Sequence, residues 1–165
     1  YEVMHEFHVP LFGISTSSMT ILQGEKEYEV DINLLKSCLD KNLIPTLYGD
    51  VALGTEKLYR VISGDILIKD IATKLSEVSV ITVGDTPGVY DGEGRTVPQI
   101  TPENFQSVLE AVTGSQGIDV TGGMRQKLIE LMEVAEHTES ITITNLDNLS
   151  KVLQEDFRGS TQITS

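Results

Sequence analysis

A single cysteine, Cys38, is all the thiol the sequence carries, so no internal disulfide can close and no zinc site built from several thiolates can form. That usage fits a reducing compartment, and a cytoplasmic protein is the expectation. Basic residues are scarce as well. Twelve Lys and Arg stand against twenty-five Asp and Glu, a net charge of −13. This balance disfavours nucleic acid and anionic membrane as partners and requires any polyanionic ligand to be held locally. The sequence shows no apolar run of membrane-spanning length and no signal-peptide pattern. Two phosphate-binding signatures are also absent, since neither G-x-x-x-x-G-K-[ST] nor G-x-G-x-x-G occurs. Without a G-x-S-x-G elbow, "STSS" at 15–18 does not read as a hydrolase nucleophile. Nor do the three histidines form a metal set. His5 and His8 lie three apart near what reads as a helix end, and His137 reads as a cation at the C-terminus of another helix.

What the chain does have is apolar residues, 39% of its 165. These suffice for a real core and argue against disorder. They gather in strand-like runs at "VPLFGIS" (9–15), "LIPTLYG" (43–49), "VSVITVG" (78–84) and "SITIT" (140–144). The runs are too uniformly apolar for half-exposed strands and predict buried, parallel ones. Helical patterns alternate with them at Ile32 to Leu43, Ile66 to Leu75, Pro102 to Val112, Met124 to His137 and Leu146 to Gln154. The alternation predicts an α/β fold. Two polar excursions, 23–30 and 54–62, read as hairpins, and Asp91 to Thr101, with Gly92, Gly94 and Pro98, as a loop.

The stretch "IDVTGGMRQKLIELMEVA" (118–135) joins Thr121, Gly122 and Gly123 to a helical pattern with Lys127 one turn in. Glycine allows close approach to the main chain, and the first helical turn presents unpaired N–H groups and partial positive charge. Lys127 would share the face of Gly123, within reach of an anion's oxygens. Three more glycine turns follow predicted strands: "YGD" (48–50), "SGD" (63–65) and "GDTPGVYD" (84–91). Strand carboxyl ends are where open α/β sheets bind ligands. A lone Gly-Asp pair is more often a turn whose aspartate caps a helix, and that is the reading preferred for Asp50 and Asp65 over magnesium binding.

The series "LIPTLYGDVAL", "YRVISGD", "VITVGDTPGVYD", "DVTGGMRQK", "ITITN" and "GSTQI" resembles the amino acid kinase superfamily, and within it the isopentenyl phosphate kinases of archaea. The likeness runs from Val9 to Ile163. It implies an open αβα sandwich with a largely parallel sheet. It implies transfer of the γ-phosphate of ATP, with Mg2+, to isopentenyl phosphate, giving isopentenyl diphosphate in an alternative mevalonate route. The acceptor would be a small phosphate monoester, and a homodimer is compatible with the family. By the same resemblance Asp85, Thr86, Pro87, Gly88, Val89 and Tyr90 would form the nucleotide loop. Gly123 and Lys127 would lie near the ATP phosphates, with Lys127 catalytic, and Gly64 would meet the acceptor. On their own terms, Gly64 offers an N–H that a phosphate can approach, and Lys127 can neutralise charge on the transferred group.

Two departures stand out. The family's Asp-x-Asp-Gly reads Asp85-Thr86-Pro87-Gly88, and Ile66 stands where a second acidic residue would follow "SGD". The family's Lys-x-Gly-Gly-Ser turn, second glycine-rich loop and histidine would precede anything resembling Tyr1. The native protein is therefore expected to continue upstream, and residues 1–165 to be a single domain truncated at its N-terminus and inactive alone, with nucleotide-binding elements from about residue 77 onward. Two alternatives stay open: a fosfomycin-type small-molecule kinase, and a non-catalytic nucleotide-binding module on the same fold.

Overall fold

The computed structural model describes residues 4, 6–23, 27–54, 59–75, 77–114 and 123–165. They fall into two compact units, Tyr1–Lys74 and Leu75–Ser165.

The first unit runs β1 (Leu11–Gly13), α1 (Thr16–Met19), β2 (Thr20–Gln23), β3 (Glu27–Val30), α2 (Asn33–Leu39), β4 (Ile44–Thr46), β5 (Asp50–Gly54), β6 (Tyr59–Ile62) and α3 (Gly64–Lys74). β1 and β4 pair in parallel, Leu11 opposite Ile44. The other four strands form a sheet in the order β3-β2-β5-β6. Both polar excursions are hairpins, β2 with β3 and β5 with β6. The core gathers Ile14, Met19, Val30, Leu35, Cys38, Ala52, Ile62 and Leu67. On α3, Asp70 and Lys74 sit one turn apart with Nζ 3.0 Å from the carboxylate. Asp70 accepts from the Val30 N–H at 3.2 Å and Lys74 donates to the Val30 carbonyl at 2.9 Å. The pair thus satisfies both main-chain groups at the end of β3, an edge strand whose outer groups have no ladder partner.

The second unit runs β7 (Ser79–Gly84), β8 (Gln99–Ile100), α4 (Pro102–Gly114), α5 (Gly123–Ala135), β9 (Ser140–Asn145), α6 (Leu146–Val152) and β10 (Thr161–Ile163). Its sheet has the order β7-β9-β10-β8. β7 and β9 pair in parallel over six residues, β9 and β10 are antiparallel, and β10 and β8 are parallel. Helix starts follow ordinary capping chemistry. Pro102 opens α4, where its missing N–H costs nothing, and Asn104 accepts from the Thr101 N–H at 2.8 Å. Asn145 caps α6, its side chain accepting from the Asn148 N–H at 3.1 Å.

The α/β class expected from the sequence is what the structure has, although both four-stranded sheets mix parallel and antiparallel pairs. The expectation of uniformly buried strands holds for β9, whose Ile141, Thr142, Ile143 and Thr144 are all buried. It fails for β1, β4 and β7, where Phe12, Ile44, Ile81 and Val83 are substantially exposed. β9 lies inside its sheet, whereas β7 is an edge and β1 and β4 form only a two-stranded pair. Two helices stop earlier than their periodicity suggests. α2 ends where Asn42 turns left-handed (φ 55°) and the Leu43 N–H returns to the Cys38 carbonyl at 2.9 Å. α6 ends the same way, with Glu155 at φ 62° and the Asp156 N–H on the Lys151 carbonyl at 2.9 Å. Both are six-to-one closures of the Schellman type.

Candidate active site

The segment that leaves β7 is a folded two-legged loop. Asp85 is exposed, and the Thr86 hydroxyl turns the chain by donating to the Gly88 carbonyl at 2.9 Å. Gly88 and Val89 then dive into the interior. Val89 and Val97 run side by side, the Val97 N–H on the Val89 carbonyl at 2.8 Å, with Tyr90 bridged to Thr96. Asp91 closes the far end. Its carboxylate accepts from the N–H groups of Glu93 and Arg95 at 2.8 and 2.9 Å and from Arg95 Nε at 3.0 Å, while Gly94 takes φ 78°. The Arg95 N–H is the main reason the Asp91 carboxyl titrates below the usual aspartate value.

The foot of this loop is Thr161 on β10. Its Oγ1 accepts from the buried Val89 N–H at 2.8 Å and donates to the Val97 carbonyl at 2.6 Å, so one hydroxyl joins both legs to the sheet. Gly88 lies directly against it. A Cβ at position 88 would collide with Thr161 Oγ1 and come within 2.7 Å of Thr96 Cγ2 and 3.0 Å of Thr161 N. The close approach at Gly88 is therefore to the protein itself. Asp85, Thr86, Pro87 and Tyr90 stand further out than Gly88 and Val89.

Gly123 is the first residue of α5 and is exposed, and Lys127 is half-buried one turn later. The helix faces the core through Leu128, Leu131, Val134 and Ala135. A thirteen-residue helix that opens on an exposed glycine presents N–H groups and positive partial charge suited to a phosphate. Thr121 and Gly122 lie outside the described residues. The loop from Asp85 to Tyr90, Gly123 and Lys127 all belong to the second unit.

Gly64 belongs to the first unit, where it opens α3. Ser63 caps that helix, its Oγ accepting from the Ile66 N–H at 3.2 Å, so the cap is Ser63 and not Asp65, which sits in the first turn. Space around Gly64 is open: apart from its chain neighbours and its own helix backbone, nothing lies within 4 Å of where a Cβ would stand. Asp50 does act as a cap. Its Oδ2 accepts from the Ser17 N–H at 3.1 Å and from Ser15 Oγ at 3.4 Å. These bonds, with the Val51 N–H on Oδ1 as the largest influence, hold its carboxyl below the ordinary aspartate value. The turn around Asp50 packs closely on the start of α3: a Cβ on Gly49 would lie 3.2 Å from the Ile62 carbonyl oxygen and 3.7 Å from Gly64 N.

From the sequence, Thr161 and Ser17 carry no individual role, and Gly49 reads only as a turn glycine. Thr161 bonds residues 72 and 64 positions away, and Ser17 bonds one 33 away, separations that no local motif reports. Two cavities of about 420 and 400 Å3 lie elsewhere, one beside Met19 and Lys74 and one beside Thr142 and Phe157, and neither contains an expected site residue.

Residues 3–145 match the amino acid kinase family. An isopentenyl phosphate kinase of Methanocaldococcus jannaschii is 30% identical over 127 residues, which cover 77% of this chain and 48% of that protein. One of Haloferax volcanii is 36% identical over 131 residues, covering 79% and 52% respectively. A solved structure of isopentenyl phosphate kinase superposes with a TM-score of 0.75 at 26% identity, over 99% of this chain and 63% of that one. The chain thus spans about half the length of these curated relatives.

Proposed function

The chain belongs to the amino acid kinase family, and from that premise we propose that the natural protein transfers the γ-phosphate of ATP to isopentenyl phosphate, forming isopentenyl diphosphate. The relatives just named carry that activity in their names. The observation that carries the acceptor class is an exposed apolar face on the hairpin that leads into Gly64. On the β5–β6 hairpin Val51 stands opposite Val61 and Leu53 opposite Tyr59, and all four are exposed. The hairpin ends at Ile62, two residues before Gly64. A helix-start N–H reached from a strand with exposed apolar side chains suits a phosphate monoester with an apolar tail.

In this reading the loop from Asp85 to Tyr90 holds the nucleotide, and Thr161 keeps that loop in one conformation before ATP arrives. Gly123 lies near the ATP phosphates. Lys127 neutralises the charge that spreads over the oxygens of the transferring group, where positioning and electrostatics supply most of the acceleration. No group of three His, Cys, Asp or Glu side chains among the described residues could hold a metal ion. Magnesium fits here as the usual companion of ATP, mostly hydrated and held through phosphate oxygens, where it would neutralise phosphate charge. A cytoplasmic setting follows from the same reading. Among the described residues, no helix is long and apolar enough to cross a membrane.

An acceptor panel tests the substrate. With ATP fixed, isopentenyl phosphate should give a higher kcat/KM than fosfomycin, acetylglutamate or carbamate. Faster turnover of fosfomycin would move the assignment to the antibiotic kinases. Nucleotide binding without turnover of any acceptor would leave a binding module.

A further inference from the structure

The "STSS" segment has no part in the chemistry above, yet its side chains are committed to one place. Thr16, fully buried, donates from Oγ1 to the Tyr48 carbonyl at 2.6 Å. The Ser17 N–H donates to Asp50 Oδ2 at 3.1 Å, and Ser15 Oγ reaches the same oxygen at 3.4 Å and Ser17 Oγ at 2.7 Å. Tyr48 and Asp50 are the two neighbours of Gly49. Both flanks of that glycine are therefore tied to the start of α1, while Tyr48 is 58% exposed and does little to hold the turn by packing.

Gly49 is in turn pressed on the strand end that leads into α3. The position of its absent Cβ is 3.2 Å from the Ile62 carbonyl oxygen, and 3.7 Å from both Ser63 Cα and Gly64 N. The first distance is tighter than an ordinary contact, and its partner is main chain, which cannot rotate away. The Asp50–Ile62 pairing in the β5–β6 ladder anchors the same junction from the strand side. We infer that Thr16, Ser17 and Asp50 form a clamp that fixes Gly49 against the Ser63–Gly64 peptide, and that these are positioning residues which set the direction of the Gly64 N–H toward the acceptor's phosphate. The inference rests on the assignment of Gly64 to the acceptor. None of the clamp residues touches substrate; they act through Gly64. Gly49 has a second task. A Cβ there would stand in van der Waals contact with Gly64 N, at 3.7 Å, so the glycine leaves the space beside that donor clear.

The test uses the natural full-length protein with Thr16→Val, Thr16→Ser and Gly49→Ala. Isopentenyl phosphate is varied at saturating ATP, then ATP at saturating isopentenyl phosphate, with thermal unfolding measured in parallel. Thr16→Val removes the hydroxyl at nearly constant volume and should raise KM for the acceptor about three- to tenfold, the scale of one lost hydrogen bond. Gly49→Ala should raise it about tenfold or more without removing any hydrogen bond. Thr16→Ser keeps the hydroxyl and should restore the wild-type value. KM for ATP should stay within about twofold in all three, because the effect is on one substrate only. Lowered melting temperatures with unchanged acceptor KM would reduce the cluster to a fold element and overturn the clamp, as would equal rises in both KM values. A wild-type protein that does not phosphorylate isopentenyl phosphate at all would remove the functional assignment beneath it, a result distinct from an active wild type whose variants show no split.

Discussion

Replacing Gly88 by Ala adds one methyl group at a place where the structure has no room for it. The new Cβ would meet Thr161 Oγ1, Thr96 Cγ2 at 2.7 Å and Thr161 N at 3.0 Å. The hydroxyl cannot retreat cheaply, because the fully buried Thr161 accepts from the Val89 N–H and donates to the Val97 carbonyl. Overpacking of this kind costs about 1–3 kcal/mol. Breaking the two hydrogen bonds adds about 1 kcal/mol each if they cannot re-form. A loss of about 3 kcal/mol is expected, to be read by urea unfolding with an unchanged m value. Thr161→Ala should itself cost about 1–3 kcal/mol by leaving the Val89 N–H without its partner. The two changes strike the same contact, so the double variant should be less damaged than the sum, by about 1 kcal/mol or more. Additivity within about 0.5 kcal/mol would show that Gly88 and Thr161 are independent and would refute the account of the loop's foot.

Two further predictions concern charge. Lys127→Met keeps length and removes charge; kcat should fall about a hundredfold or more, the scale of one lost transition-state contact, and near-normal kcat would make Lys127 a solvated helix residue. Stability should fall in acid, because Asp50, Asp91, Glu103 and Asp156 all titrate below their ordinary values in the folded protein, Asp156 at about 2 against the usual 3.8 through its Arg158 hydrogen bonds. The unfolded chain then binds more protons, so this stabilisation is complete above the ordinary carboxylate values and is lost as pH falls through the depressed ones. For Asp156 the window runs from 3.8 down to about 2. Melting temperatures should drop across it, and Asp156→Asn should flatten its lower part; a flat or rising profile on acidification would contradict the sign.

Patterns that are local in the chain were legible in the sequence. Polar residues between apolar runs announced both hairpins, and the uninterrupted "SITIT" announced β9. Helix ends were less legible where they depend on backbone conformation. Glu155 adopts a left-handed φ of 62° although nothing in its side chain favours it. Burial was legible only for β9, since an apolar run has the same composition in the middle of a sheet and at its edge. In the candidate site, the placement of Gly123 and Lys127 on the first turns of one helix could be read from a short motif because those positions are contiguous. The supports could not. Thr161 serves Val89 across 72 residues, and Asp50 serves Ser17 across 33. Gly49 looked like a turn glycine, and only the strand packed against it shows why a side chain is excluded there.

Phosphoryl transfer itself is the claim on which the rest depends. The direct measurement is phosphorus NMR of the natural full-length protein with ATP and isopentenyl phosphate. The monoester resonance should be replaced by the two coupled resonances of a diphosphate as ATP becomes ADP, one acceptor consumed per ATP. ATP that persists alongside an unchanged monoester, or ADP that accumulates with inorganic phosphate and no diphosphate, would contradict it.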